Sequence, residues 1–171
     1  MEQILYVNTF QPTFVIKVLL KQMLDREKRS AVVVTSSGLG LIPVAGTAVY
    51  AASKAYASSF TQALGYELSD RIDFADWPCG EVKTRLYGDY GEKNPRAITA
   101  TKAVTPLLKQ IGHDRITYGN SKHEISSHSL GLMSEKTING FMFKGMSRVF
   151  NENMAKKSEQ ERDAYLRQGV L

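Results

Sequence analysis

The chain has 171 residues, of which 43% are hydrophobic, and 22 Lys+Arg against 17 Asp+Glu give it a formal charge of +5. This composition excludes a long disordered tail and a collagen-like repeat, and the length suits one domain or part of one, below the size at which two ligand-binding halves usually share a chain. A single cysteine, Cys79, allows neither an intramolecular disulfide framework nor a cysteine-based zinc site. The basic excess lies mainly in residues 86–171, where 13 Lys+Arg face 9 Asp+Glu, against 9 and 8 in residues 1–85. These positives are scattered among acids, as in Lys156-Lys157-Ser158-Glu159-Gln160-Glu161-Arg162, rather than gathered into a stripe with aromatics, so no nucleic-acid partner is expected. No apolar run approaches the roughly 18 residues of a membrane span. Met1-Glu2-Gln3 lacks the positive start of a secretory signal, and the expectation is a chain that neither spans a bilayer nor shows an export signal.

From Val7 to Lys28, apolar residues recurring at three- and four-residue spacing (Val7, Phe10, Phe14, Val15, Val18, Leu19, Met23) predict an amphipathic helix. After a charged turn, Ala31-Val32-Val33-Val34-Thr35 is short, apolar and β-branched, the pattern of a strand buried on both faces in a parallel sheet. Ser36-Ser37-Gly38-Leu39-Gly40-Leu41-Ile42-Pro43 reads as a loop, and the alanine-rich stretch from about Thr47 to Leu68 as a second helix. Ile72–Trp77 is a strand candidate closed by Pro78-Cys79-Gly80. This alternation is the rhythm of an α/β sheet. Residues 85–97 read as a mobile loop and Thr99–Ile111 as a helix. From Leu132 to Met154 an amphipathic helix is expected, with interruptions at Gly140 and Gly145; it could cover the core, dock a partner or lie on a membrane surface.

The chemistry concentrates on Ser37, Tyr50 and Lys54. Tyr50 and Lys54 are four residues apart in the second helix, so phenol and ammonium share a face. A free phenol titrates near about 10, and an adjacent ammonium stabilises its anion and brings it toward the working range of a general acid–base. Ser37, at a strand end, can offer a hydroxyl to a carbonyl oxygen as that oxygen gains charge. Alone, a Tyr/Lys pair is an ordinary surface feature; a serine thirteen residues before the tyrosine makes the pattern specific.

With Ser36-Ser37-Gly38 followed by Tyr50-Ala51-Ala52-Ser53-Lys54, a YxxSK signature, the sequence resembles the short-chain dehydrogenase/reductase family. The resemblance implies that Tyr50 is the proton donor and acceptor, that Lys54 holds the nicotinamide ribose and tunes Tyr50, and that Ser37 orients the carbonyl. Asn8 matches the family's fourth member, an asparagine supporting a proton relay; by itself it would read as a helix N-cap. Val82 and Thr84, in Pro78-Cys79-Gly80-Glu81-Val82-Lys83-Thr84, match the valine and threonine that bind the nicotinamide amide, although Cys79 interrupts the family's Pro-Gly turn. Cys79 itself reads as a small packed residue rather than a nucleophile. Asp76 is a second departure, because a carboxylate in a central strand is costly unless paired or outward-facing.

The largest departure is that residues 1–30 contain no glycine-rich TGxxxGxG turn of the kind that approaches a pyrophosphate. Gly38-Leu39-Gly40 reads instead as active-site loop geometry. The resemblance covers residues 1 to about 125. It implies an α/β fold, the C-terminal half of a doubly wound, Rossmann-like parallel sheet, with residues 126–171 as an amphipathic helical extension. NADP or NAD is the implied cofactor, provided the missing half is supplied, and no metal is implied, since His113, His123 and His128 form no ligand pattern.

Ser36–Pro43 and Tyr118-Gly119-Asn120-Ser121-Lys122-His123-Glu124 look most like the 17β-hydroxysteroid dehydrogenase and very-long-chain 3-oxoacyl-CoA reductase branch, which implies an apolar carbonyl substrate. The resemblance also implies a homo-oligomer or heteromer formed through the helices at 8–28 and 47–69. Docking through 132–154 would suit an intracellular setting beside an organelle membrane. The alternative function is a truncated, non-catalytic relative serving as a structural subunit of a larger, membrane-bound assembly.

Overall fold

A computed structural model describes residues 2–85, 94–155 and 158–161. The chain opens with α1 (Glu2–Leu5), a π-helical turn (Tyr6–Phe10) and α2 (Gln11–Leu24). Leu5 and Gln11 are themselves right-handed helical, so the three segments form one continuous helix. β1 (Ser30–Thr35), α3 (Ala48–Glu67) and β2 (Ile72–Trp77) follow, then β3 (Val82–Lys83), β4 (Ile98–Thr99), α4 (Ala100–Gln110), α5 (Ser121–Gly131) and α6 (Glu135–Ala155).

β1 and β2 pair in parallel, with Val32 opposite Phe74 and Val34 opposite Asp76. The segment at 115–117 continues this sheet beyond β2: Asp76 N–H donates to the Arg115 carbonyl at 2.7 Å, and Thr117 N–H donates to the Asp76 carbonyl at 2.9 Å. β3 and β4 form a second, short parallel pair. The expected α/β class with parallel strands is therefore present. The principal core joins Ile16 and Met23 of α2, Val34 of β1, Ala57 of α3 and Ile72 and Phe74 of β2. Parallel pairing demands a crossover, and α3 supplies it while burying Ala57, Phe60 and Leu64 against the strands.

Several expectations change. β1 is not buried on both faces: Ala31 is exposed and Val33 half-buried, because α2 and α3 both pack on the face that carries Val32 and Val34. Of the 85–97 loop, residues 86–93 lie outside the described residues, and its end enters the β3/β4 pair, whose two-residue strands are too short for a period to register. α6 runs through Gly140 and Gly145 without interruption, since glycine keeps its backbone N–H and weakens a helix by only about 1 kcal/mol. The boundary at 125/126 falls inside α5. No described helix is long and apolar enough to cross a membrane.

Asp76 is fully buried, at 0% exposure, and neither faces out nor meets a cation among the described residues. Ser36 Oγ donates to its Oδ1, while Ser58 Oγ and Gln62 Nε2 donate to its Oδ2 at 2.5 and 3.2 Å. Three neutral donors thus replace water around the carboxylate.

At the opposite end of the strands, Arg29 reaches Asp73 with Nη2 at 2.5 Å and Nε at 3.3 Å, and also donates to the carbonyls of Ser69 and Asp70. This hydrogen bonding holds the Asp73 carboxyl below its ordinary value. A lowered folded value stabilises the fold above the ordinary carboxylate pKa, near about 4, and that contribution disappears as pH falls through the lowered value. Arg29→Met should therefore be less stable than wild type at pH 7 in urea denaturation, and the gap should close as pH drops below about 4. A gap that is constant with pH would mean that Asp73 is not the partner that matters.

Candidate active site

Asn8 lies within the π-helical turn, where the Gln11 N–H bonds the Tyr6 carbonyl five residues back. Pro12 lacks the N–H that an α-helix would aim at the Asn8 carbonyl, which gives a local reason for the wider turn. The Asn8 side chain crosses to α3, where Nδ2 donates to Ser53 Oγ at 3.0 Å and Ser53 Oγ donates to the Tyr50 carbonyl at 2.7 Å. The serine's one proton is committed to Tyr50, so Asn8 must be the donor in its own bond. Ser53, quoted in the motif but given no role from sequence, is thus the link from Asn8 to the tyrosine's peptide.

One turn along α3, Lys54 lies with Nζ 5.8 Å from the centroid of the Tyr50 ring. One of its three N–H groups donates to the Thr35 carbonyl, at the end of β1, at 2.9 Å. Burial pulls the ammonium below the usual lysine value. The Tyr50 hydroxyl makes no hydrogen bond to a described residue, and its ring is half-buried.

Ser37 is buried beyond the end of β1, and its Oγ accepts the Leu39 N–H at 3.2 Å, capping the 3-10 turn Gly38–Gly40. Its O–H has no acceptor among the described residues, so that donor is available to an incoming oxygen. The structure thus brings Asn8, Tyr50 and Lys54 together through contacts, with Ser37 on the loop that leaves the same strand end. No hydrogen bond joins Ser37 to Tyr50.

The glycines of this loop serve close packing. A Cβ on Gly40 would lie 2.8 Å from both the Ala55 N and the Lys54 carbonyl carbon, and one on Gly38 would lie 3.1 Å from Ser127 Oγ. The loop therefore rests directly on α3 at Lys54.

Val82 is buried with Ile98 and Ala103, against Trp77 and Cys79, while Thr84 is exposed. Burial pushes the Cys79 thiol up to about 11, with Lys54 opposing the shift, so the thiol stays protonated and packs as a small side chain. Among the described residues no three His, Cys, Asp or Glu side chains gather as a metal site. A cleft of about 310 Å³ runs between the opening helix and β1, lined by Val7, Asn8, Gln11, Pro12, Val15, Ile16, Val32, Val33, Val34, Thr35 and Lys54.

A parallel α/β sheet with a crossover helix carrying Tyr-x-x-Ser-Lys beside the end of the preceding strand is the arrangement of a nucleotide-dependent dehydrogenase fold. The short chain dehydrogenase family model matches residues 1–95, and the chain belongs to that family. No curated protein sequence matches the chain. Among solved structures, a 7β-hydroxysteroid dehydrogenase aligns at 19% identity and a TM-score of 0.62, covering 80% of this chain and 54% of the other. A short chain dehydrogenase from Burkholderia cenocepacia J2315 in complex with NADP aligns at 20% identity and a TM-score of 0.61, covering 74% and 54%. An oxidoreductase from E. coli aligns at 24% identity and a TM-score of 0.53, covering 64% and 45%. The chain thus spans about half the length of these relatives.

Gly40→Ala tests the close packing of loop on helix. Both nearest atoms belong to the backbone and cannot swing away, so the substitution should cost about 2 kcal/mol in chemical denaturation. A cost within about 0.5 kcal/mol, the range of an ordinary surface change, would show that the loop does not rest on Lys54.

Proposed function

We propose that this chain carries the catalytic half of an NAD(P)(H)-dependent oxidoreductase that reduces a ketone or oxidises a secondary alcohol. The observation that carries this reading is the connected set of Asn8, Ser53, Tyr50 and Lys54, with the donor of Ser37 left open at the same strand end.

The donors fit the nicotinamide-ribose end of such a cofactor. Lys54 keeps N–H groups beyond the one given to Thr35, and it lines the cleft. Lys54 and Tyr50 would hold the ribose, and Val82 and Thr84 the carboxamide. When bound, the nicotinamide supplies or accepts the hydride. In the reductive direction, Ser37 donates a hydrogen bond to the carbonyl oxygen and Tyr50 gives that oxygen its proton. Lys54 sets positive potential beside the phenol, and Asn8, through Ser53, holds the peptide on which Tyr50 stands. The pyrophosphate end has no counterpart among the described residues, since the first glycine of the chain is Gly38.

An apolar, steroid or fatty-acyl, substrate is supported by the valine-rich lining of the cleft. The loop Ser36–Pro43 and the segment Tyr118–Glu124 favour the 17β-hydroxysteroid dehydrogenase and 3-oxoacyl-CoA reductase branch. Association through the first helix and α3 is supported by exposed Phe10, Phe14 and Val18, with Thr13 joined to Tyr56 of α3 at 2.9 Å. Exposed Leu132, Met133, Phe141 and Phe143 support docking of the 132–154 region on a membrane surface or partner.

A second reading is a non-catalytic structural subunit; the chain covers 54% of the length of the NADP-bound dehydrogenase. Titration of the purified chain with NADPH and NADH, followed by nucleotide fluorescence and thermal stabilisation, separates the two. Binding is expected, and Tyr50→Phe should then lower turnover of an apolar ketone about a thousandfold while leaving binding intact. Absence of binding would leave the structural subunit or a nucleotide site completed by another segment, and an unchanged rate in Tyr50→Phe would remove the phenol from the chemistry.

A further inference from the structure

His123 takes no part in the chemistry above, yet it is buried to 4% exposure in the first turn of α5. Both ring nitrogens have backbone partners in the altered turn that follows β2. The Gly80 N–H lies 3.3 Å from Nδ1, and the Glu81 carbonyl lies 3.3 Å from Nε2. A backbone N–H can only donate and a carbonyl can only accept, so the pair of contacts defines one tautomer: Nδ1 bare, Nε2 protonated. The imidazolium would aim a second N–H at a donor. The ring also lies against Gly80 closely enough that a Cβ there would be 2.5 Å from Cδ2, which explains why this position is glycine.

The same face of α5 reaches the catalytic-serine loop. Ser127, four residues after His123, is buried and packs at Gly38, beside Ser37. One short helix therefore touches both loops that leave the parallel strands, the one carrying Ser37 and the one leading to Val82 and Thr84. The Asn120 side chain caps this helix by accepting the Lys122 N–H at 3.0 Å, which holds the histidine's own turn in place.

We infer that His123 is the positioning residue of the turn Pro78–Thr84: as the neutral Nε2–H tautomer it clasps the Gly80 and Glu81 peptides and so sets where Val82 and Thr84 stand. Its use in holding a nicotinamide rests on the oxidoreductase reading; the clasp itself does not. Burial favours the neutral ring and lowers its proton affinity, opposed by the Glu81 carbonyl and carboxylate. Glu81 of the turn is the charged group acting on the ring among the described residues; its carboxylate accepts Asn94 Nδ2 at 2.7 Å, and Lys122 and Glu124, flanking on α5, are exposed.

The test uses the full chain without ligand, then with reduced nicotinamide mononucleotide, which carries the nicotinamide-ribose end alone. Imidazole ¹⁵N shifts of His123 should report the Nε2–H tautomer and titrate below the ordinary histidine value of about 6.5. Hydrogen exchange at the Gly80 amide should quicken about tenfold in His123→Ala. His123→Asn, whose Oδ1 can take the place of Nδ1, should restore much of that protection, a rescue that general packing would not give. An Nδ1–H tautomer, or Gly80 exchange unchanged in His123→Ala, would overturn the inference. Mononucleotide affinity should fall about tenfold in His123→Ala and recover in His123→Asn. Failure of the wild-type chain to bind the mononucleotide would overturn the oxidoreductase reading while the ligand-free results still decide the clasp, and affinity unchanged in His123→Ala would show that the turn's placement does not serve that ligand.

Discussion

The Asp76 carboxylate sits where three parts of the molecule meet. It belongs to β2, receives the hydroxyl of Ser36 just beyond β1, and receives the hydroxyl of Ser58 and the amide of Gln62 from α3. A charge removed from water must be satisfied by fixed donors, and Gln62 Nε2 also donates to Ser58 Oγ at 2.9 Å, which ties the two helix donors to each other. The register of strand end against helix follows from that requirement. Ser37 is the residue after Ser36, and Tyr50 and Lys54 lie one to two turns before Ser58 on the same helix. The spacing between the hydroxyl donor and the phenol–ammonium pair is thus an outcome of how one buried carboxylate is solvated.

The remaining site parts are held in the same manner, by backbone groups rather than by side-chain ion pairs. Lys54 is tied to the Thr35 carbonyl, Asn8 reaches the Tyr50 carbonyl through Ser53, and His123 bonds the Gly80 and Glu81 peptides. Close approach does the rest: Gly40 allows the serine loop to lie on α3, and Gly38 and Gly80 allow both loops to lie against α5. Such an arrangement positions functional groups through the rigid sheet and its crossover helix, leaving the Ser37 donor and the Tyr50 hydroxyl without partners among the described residues.

Much of this was legible in the sequence because it rests on local rules. The β-branched run Val32-Val33-Val34 and the alanine-rich stretch after Thr47 announce a strand and a crossover helix, and the four-residue offset of Tyr50 and Lys54 places both on one face of that helix. What was not legible depends on contacts between distant segments. The π-helical turn at Asn8 arises from Pro12, a cue visible in the sequence but ambiguous beside an otherwise regular apolar period. The neutral cage around Asp76 draws on residues 36, 58 and 62, which no single window contains, although a carboxylate in an apolar strand was the signal that something must surround it. The β3/β4 pair is too short to show a period, and exposure of Ala31 in β1 follows from what does not cover that strand among the described residues. His123 lay within a stretch singled out by resemblance, but its partners lie more than forty residues earlier.

The most direct test of this account is a double-mutant cycle of Ser36→Ala and Ser58→Ala, measured by equilibrium urea denaturation in the wild-type and Asp76→Val backgrounds. If one carboxylate joins the strand end to the helix, the two losses will be non-additive by about 1 kcal/mol with Asp76 present and additive once it is replaced. Additive losses in both backgrounds would contradict it, because Ser36 and Ser58 would then be held independently and the spacing of Ser37 from Tyr50 and Lys54 would need another cause.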